Sequence, residues 1–388
     1  MWNTFNIPWL QAGGRKQRQP ERKAASSLVA FSGEGRAEWR EKGYAALARE
    51  GFMKNPVAHR SIRLIAEAAS SVPWLLSADG REIAEHDVLS LLASPNPRQA
   101  GADFFEALYG HLMISGNAYL LPVSAGTRLA ELHLLRPDRM RIVEGADGWP
   151  ETYEYRAGAR VWRYPAQGAG RLLHLRLFHP LDDHGGFAPL SAALTALDLS
   201  NRATEWNRAL IDNSARPSGA LVYQPKEGGN LTPDQYERLK AELAEGYSGP
   251  ARAGRPMLLE GGLDWKAMAL SPKEMDFFEA KNGAARDIAL ALGVPPLLIG
   301  LPGDNTYANY AEANRAFWRL TVLPLIGRTA SALSAWLSAI YDERLRLGHD
   351  LDQVPGLALE RDALWARVGA ATFLTDEEKR EAVGYGIS

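Results

Sequence analysis

The sequence of 388 residues is long enough for two or three domains, and its 46% apolar and 23% charged residues are typical of a folded protein. The net charge of −2 argues against tight binding of nucleic acid, because each firm phosphate contact uses a cation. The chain has no cysteine, which excludes disulfides, thiolate nucleophiles and cysteine-bound metal centres. No apolar run is long enough to span a bilayer, and the N-terminus does not resemble a secretory signal, so we expect synthesis in the cytoplasm.

The N-terminal half begins with a basic segment, residues 1–27, whose excess of positive charge and few apolar residues predict a flexible arm. The arm is interpreted either as a solvated tail or as a contact for phosphate or a neighbouring subunit. Further on, Asn55 and Pro56 predict the cap and first residue of a helix, and residues 74–80 predict a hairpin. Short strands are then expected at 118–123, 129–135, 140–143, 153–155, 161–164 and 172–178. Together these elements predict an antiparallel α+β region.

After residue 187 the apolar spacing becomes helical, which predicts one helix up to about residue 217. A small αβ insert follows, in which Thr232 and Gln235 form a capping box that opens a helix. A second strong helix is expected to end at Gly293. Asn309 and Glu312 are then predicted to cap a helix that reaches about Tyr341. Pro324 lies inside this helix and is expected to kink it, and residues 356–388 are predicted to be helical again.

Sequence signatures of common enzymes are absent. The chain contains no Gly-Lys dipeptide for a Walker A loop, no Gly-x-Ser-x-Gly motif and no His-Glu-x-x-His motif. The densest group of possible ligands is His174, His179, Asp182 and its neighbours, and such residues can hold a divalent ion in hydrolytic sites. The same residues also fit a polar surface turn. A metal-dependent hydrolase that uses His174, His179 and Asp182 is therefore the alternative function.

The most distinctive stretch is the loop 293–309. Prolines restrict its backbone, glycines permit sharp turns, and small polar groups are concentrated in its second half. On its own, this loop is equally well interpreted as a connector between two helices.

At this loop the sequence resembles the portal proteins of tailed double-stranded DNA phages, specifically those of the long-tailed type. The matching pattern is a Gly-Val-Pro-Pro turn, apolar residues that end in glycine, a Thr-Tyr-x-Asn step, an acidic residue and a long helix. In this chain these positions are Gly293, Pro295, Pro296, Gly300, Thr306, Tyr307, Asn309, Glu312 and Pro324. Further matches in the same order run from about residue 50 to the C-terminus.

The resemblance implies an α+β portal fold with a wing, a two-helix stem, a small αβ clip, a long kinked channel helix and a helical crown. Carried over, the regions are the arm 1–27, wing 28–186, stem helix 187–217, clip 218–270, second stem helix 271–292, channel loop 293–308, channel helix 309–345 and crown 346–388. The predicted insert and kinked helix agree with this plan.

The function implied by the resemblance is that of a structural protein, not an enzyme, with no cofactor and no bound metal. It would form a ring of twelve subunits at one capsid vertex, through which double-stranded DNA passes without sequence recognition. The residues expected to face the DNA are Asp304, Asn305, Thr306 and Tyr307. The clip would bind the large terminase and later the head–tail adaptor through Thr232, Gln235, Tyr236, Arg238 and Leu239.

The remaining partner implied by the resemblance is the major capsid protein, which would contact the wing, and no membrane is expected. The protein would be located at the portal vertex of a virion or phage-like particle assembled in the bacterial cytoplasm. The short, arginine-rich chain also resembles the portal proteins of gene transfer agents. A lytic phage, a prophage and a gene transfer agent remain open as its source.

Overall fold

The computed structural model describes residues 43–79, 81–126, 128–168, 171–212, 219–223, 232–235, 237–238, 263–267, 277–301 and 307–384. The described helices are α1 (Tyr44–Ala46), α2 (Pro56–Ser70), α3 (Asp87–Ala93), α4 (Gly101–Ser115), α5 (Pro189–Ala192), α6 (Leu194–Asp212), α7 (Phe277–Ala291), α8 (Tyr307–Phe317), α9 (Leu323–Tyr341), α10 (Ala358–Ala370) and α11 (Asp376–Ala382). Two π-helical segments, Leu47–Met53 and Trp318–Val322, continue α1 and join α8 to α9.

The strands pair only in antiparallel fashion within the described residues. They are β1 (Trp74–Ala78), β2 (Arg81–Glu82), β3 (Asn117–Ala125), β4 (Arg128–Leu135), β5 (Met140–Glu144), β6 (Pro150–Ala157), β7 (Arg160–Pro165), β8 (Leu173–Arg176), β9 (Gly219–Tyr223), β10 (Leu263–Ala267) and β11 (Leu345–His349). Their orders are β11-β1-β2, β4-β3-β8, β5-β6-β7 and the pair β9-β10. The antiparallel α+β class expected for the N-terminal half is therefore confirmed.

The core forms where α2, α4 and α9 present apolar faces to one another. Ile62, Ile65, Phe104 and Leu108 lie on α2 and α4 at helical spacing and are fully buried there. A smaller cluster of Tyr119, Leu135, Tyr153 and Leu172 joins the sheet of β3 to that of β6.

Helix α9 supplies the third face of this core through Leu333, Trp336 and Leu337, and the Trp336 indole N–H donates to the Arg171 carbonyl oxygen at 3.0 Å. By length and composition alone, the helical stretch Asn309–Tyr341 is long and apolar enough to cross a membrane. Because the apolar residues of α9 are packed inside the protein, we assign it as a core helix.

Asn55 connects the first part of the chain to helix α6. Its side-chain oxygen accepts hydrogen bonds from the Val57 and Ala58 amides at 3.1 Å each, as the predicted cap requires. Its side-chain nitrogen donates to Ser200 Oγ at 3.1 Å and to Asn201 Oδ1 at 3.0 Å. One buried side chain therefore caps α2 and attaches α6 to it.

Several boundaries differ from the sequence-based expectations. The helix expected from residue 187 is divided into α5 and α6, because Ala193 leaves the helical conformation between them. Helix α9 ends at Tyr341, as the apolar pattern predicted, and Asp342 there has a left-handed backbone. The boundary at 345 that was carried over from the resemblance therefore lies beyond the helix. Strand β11 was not predicted and pairs with β1 along its whole length, so the expected start of the crown at residue 346 falls inside a strand.

Most other elements agree with the expectations. The hairpin of β1 and β2 and the strands β3 to β8 lie where short strands were predicted. Helices α10 and α11 occupy the C-terminal region predicted to be helical, and Thr375 and Glu378 form a reciprocal capping box there. Helix α3 was missed because its seven residues give too few helical turns for an apolar pattern to be recognised.

Replacement of Asn55 by alanine should lower the free energy of unfolding by about 3 kcal/mol, because the helix loses its cap and two buried acceptors on α6 lose their donor. Thr375→Ala, which removes an exposed cap, should cost about 1 kcal/mol. Chemical denaturation followed by tryptophan fluorescence measures both. Equal losses in the two variants would contradict the connecting role of Asn55.

Candidate functional site

The loop that follows α7 begins with a tightly determined turn. The Gly293 amide donates to the Leu290 carbonyl oxygen at 3.0 Å and the Val294 amide to that of Ala289 at 2.9 Å. Pro295 leads into a 3₁₀ turn over Pro296–Ile299, and Gly300 ends this turn with a left-handed backbone. The first four residues expected to shape the loop are therefore in place: Gly293, Pro295, Pro296 and Gly300. Together they restrict the path of the backbone where it leaves α7.

Gly293 is held against the π-helical turn. The Thr321 hydroxyl donates to the Gly293 carbonyl oxygen at 2.6 Å, and a β-carbon at Gly293 would lie 2.7 Å from that hydroxyl. The backbone φ of Gly293 is +68°, a value that other residues rarely adopt. The start of the loop therefore requires glycine for two independent reasons.

The second half of the loop is described only in part. Asp304, Asn305 and Thr306 lie outside the described residues, and Tyr307 is the first residue of α8. Asn309 is consequently inside the helix, and the prediction that it caps the helix is wrong. Glu312, its expected partner in the cap, instead forms an ion pair with Arg315 one turn further along.

Pro324 is the second residue of α9, which begins directly after the π-helical turn Trp318–Val322. In an α-helix its missing amide would leave the Leu320 carbonyl unpaired, and its ring would clash with that carbonyl. A π-helical turn is wider than an α-helical turn and contains one more residue. The helix geometry therefore changes in the turn that precedes the proline, where the α-helical hydrogen bond is missing. The irregularity expected from the sequence thus takes the form of a π turn.

A second residue of the π turn, Trp318, also makes a close contact. Trp318 is buried, and a β-carbon at Gly356 would collide with its indole ring. Gly356 belongs to the 3₁₀ turn Pro355–Leu357 that precedes α10. The π turn is therefore packed between the start of the loop, at Gly293, and the start of the C-terminal helices, at Gly356.

The expected partner-binding residues of the insert are partly described. The Thr232 amide donates to Gln235 Oε1 at 3.0 Å, and the Gln235 amide donates to Thr232 Oγ1 at 3.3 Å, which is the predicted capping box. Thr232, Gln235 and Arg238 are exposed, whereas Tyr236 and Leu239 lie outside the described residues.

The histidine cluster does not form a metal site. His174 stacks on Tyr119, its Nε2 donates to Asn117 Oδ1 at 2.8 Å, and its Nδ1 accepts from the Tyr153 hydroxyl at 3.4 Å. Both ring nitrogens are thus occupied. Burial lowers the pKa of His174 to about 3, with a smaller contribution from Arg176, so the ring is neutral.

The other two candidate ligands serve the loop that contains them. His179 Nδ1 accepts from the Leu181 amide at 3.1 Å. Asp182 Oδ1 accepts from the amides of Gly185 and His184, and these bonds lower the pKa of the Asp182 carboxyl. Among the residues that the structure describes, no three histidine or acidic side chains are grouped so as to hold a metal ion. This region is the polar turn that the sequence also allowed.

Gly293→Ala should lower the free energy of unfolding by about 2 kcal/mol. Alanine would be strained at this positive φ, and its β-carbon would displace the Thr321 hydroxyl. Gly300 provides the control. It has a similar φ of +76° but open space around its α-carbon, so Gly300→Ala should cost about 1 kcal/mol. Equal costs in thermal or chemical unfolding would show that the contact with Thr321 does not matter.

The buried His174 should make stability depend on pH. Its pKa in the folded chain, about 3, lies below the ordinary value of 6.5, so the unfolded chain binds the proton first as pH falls. The contribution of the neutral His174 ring to the free energy of unfolding is fully present above pH 6.5. As the pH falls toward 3, this contribution is lost at about 1.4 kcal/mol per pH unit. His174→Gln should flatten this slope in urea denaturation between pH 6.5 and 4.

A second variant separates the contribution of another buried histidine. Burial lowers the pKa of His111 to about 4, so His111→Gln should flatten the slope further when it is combined with His174→Gln. Identical slopes in the wild type and in His174→Gln would contradict the assignment of His174 as a neutral packing group.

The comparisons with known proteins agree with this geometry. The family model described as phage portal protein matches residues 56–384. A chain in the neck of an empty gene transfer agent (GTA) particle, computed with C6 symmetry, is 52% identical, with a TM-score of 0.72 over 92% of this chain and 98% of that chain. For the neck of the native GTA particle, computed with C12 symmetry, the TM-score is 0.69 at the same identity, over 92% and 97% of the two chains.

A phage relative extends the comparison. The probable portal protein of Streptomyces phage phiC31 is 27% identical over 323 residues, which cover 79% of this chain and 69% of that protein. Portal proteins are structural components of the phage head, so the alternative of a metal-dependent hydrolase has no support. The family model spans most of the sequence, including the loop, the π turn and the C-terminal helices described above. The chain therefore belongs to the phage portal protein family and is a structural component rather than an enzyme.

Proposed function

We propose that this chain is the subunit of a portal ring at one vertex of a phage-like particle, through which double-stranded DNA is packaged and released. The observation that carries the proposal is the 52% identity, over 92% of the chain, to a protein in the neck of a GTA particle. This identity supports the proposal that the two chains assemble in the same way. The twelve-fold symmetry of that neck supports a ring of twelve copies, and the same similarity favours a gene transfer agent as the source.

The channel loop 293–308 is the part that we assign to the DNA. Its start is held by the Thr321 hydrogen bond to Gly293, and its end continues directly into α8. Asp304, Asn305, Thr306 and Tyr307 would face the duplex. Small polar and acidic groups suit this position, because a ring of cations would grip phosphates and retain DNA that must slide.

The clip, residues 218–270, is the proposed docking surface for the large terminase during packaging and for the head–tail adaptor afterwards. The exposed Thr232, Gln235 and Arg238 support this assignment, because interfaces that form in succession are polar rather than apolar. The wing would contact the major capsid protein. ATP hydrolysis would belong to the terminase, since the sequence carries no Walker A loop.

Lysines in the loop test the assignment of the channel. Asp304→Lys combined with Asn305→Lys would surround the duplex with ammonium groups, and each cation–phosphate contact would slow its movement. The expected result is a lower DNA content of purified particles that still contain the portal protein at wild-type levels. DNA content is measured by nuclease-resistant DNA per particle.

The matched control carries the same change in charge on the wing. Glu151→Lys combined with Thr152→Lys places two lysines on β6 and should leave the DNA content unchanged. Particles of the loop variant that hold as much DNA as the wild type would contradict the assignment of residues 304–307 to the channel.

A further inference from the structure

One carboxylate of α10 bridges the junction between α8 and the π turn. Glu360 Oε1 lies 3.3 Å from Arg315 Nε, and Glu360 Oε2 lies 3.0 Å from Arg319 Nη2. Arg315 belongs to the last turn of α8, and Arg319 belongs to the π turn. The Glu360 side chain is 25% exposed, whereas Arg315 and Arg319 are 38% and 62% exposed, so solvent partly screens each contact and the geometry of the bridge matters more than its strength.

Helix α10 is itself held in place. Arg361 donates to the Val383 carbonyl oxygen at 2.9 Å and forms an ion pair with Asp352. Leu357, directly before the helix, is buried, whereas α10 buries none of its own residues. Apolar packing along α10 therefore does not explain why Glu360 lies next to the two arginines.

The two helices on either side of the π turn differ in how firmly they are packed. Helix α9 buries Leu325, Ile326, Leu333 and Trp336 in the core. Among residues 309–317 of α8, whose burial the structure describes, Phe317 alone is buried. Conversion of the π turn to an α turn would pass its extra residue into the neighbouring helix, and this shift in register would rotate one helix relative to the other by about 100°. Because α9 is fixed, the helix that rotates would be α8.

Both ends of the channel loop meet this turn. At the start of the loop, Thr321 of the π turn bonds to Gly293, and at its end α8 runs from Tyr307 into Trp318. The rotation of α8 therefore sets the direction in which the chain enters this helix at Tyr307.

We propose that Glu360 is a positioning residue for the channel loop. By bridging Arg315 and Arg319, Glu360 holds α8 in the rotation that the π turn defines. Helix α10 therefore influences the direction in which the channel loop enters α8, although α10 and the loop are far apart in sequence. The functional meaning of this role rests on the proposed assignment of the loop to the DNA channel, whereas the positioning itself is a property of the chain.

The experiment uses the absence of cysteine from the chain. A single Asn305→Cys substitution carries a nitroxide spin label, and the electron paramagnetic resonance line shape reports the mobility of the loop in the full-length protein. Glu360→Gln keeps the size of the side chain but removes the charge, and it should sharpen the line and speed hydrogen exchange of the α8 amides. Arg319→Gln should shift both signals in the same direction by a smaller amount, because the contact of Glu360 with Arg315 remains. The double variant should equal Glu360→Gln alone, because that change already breaks both contacts.

Glu154→Gln is the matched control, since Glu154 is a partly buried carboxylate that pairs with Arg163 at 2.9 Å on the β6–β7 sheet. It should leave both signals unchanged. An unchanged line shape in Glu360→Gln, an equal change in Glu154→Gln, or additive effects of Glu360→Gln and Arg319→Gln would overturn the positioning role. Electron micrographs of the same samples report ring formation separately, so failure of the ring proposal is distinguishable from failure of this one.

Discussion

A proline in the interior of a long helix removes a backbone donor and pushes against the carbonyl of the preceding turn. In this chain Pro324 lies within a continuous helical stretch from Tyr307 to Tyr341, and the π turn Trp318–Val322 is the local response. Two glycines then allow the irregular turn to pack closely. The Gly293 carbonyl oxygen accepts a hydrogen bond from the Thr321 hydroxyl, and Gly356 makes room for the Trp318 indole. The start of the loop and the start of the C-terminal helices are thereby fixed to the same five residues.

The rest of the described fold provides a rigid base for this turn. Helix α9 is buried against α2 and α4, so one side of the π turn cannot move without opening the core. Asn55 attaches α6 to the beginning of α2, and α6 in turn packs against α7, the helix that ends at Gly293. The loop therefore follows a well-packed helix, α7, and leads through α8 into the buried α9. The sequence of its middle part consists of small polar residues. This combination suits a surface past which another molecule slides.

The sequence predicted these features unevenly, for physical reasons. Caps and breakers act locally, so Asn55, Thr232 and Gly293 could be recognised from their neighbours alone. Strand β11 could not, because its stability comes from pairing with β1, which is far away in the chain. The start of α8 was misplaced because Asn309 is a common cap, and nothing in the sequence distinguishes it from a helical asparagine. The bridge from Glu360 to Arg315 and Arg319 joins two helices and required the structure.

The portal assignment came from the order of many short motifs and not from any single residue, and the family model supports it over most of the chain. The account depends on copies of the chain enclosing a lumen that double-stranded DNA can enter. Cryo-electron microscopy of the purified full-length protein, at a resolution that separates side chains, tests this most directly. The account predicts a ring of twelve subunits with residues 304–307 at the narrowest part of the lumen. A monomer under all conditions, or a ring whose lumen is lined by other residues, would contradict it.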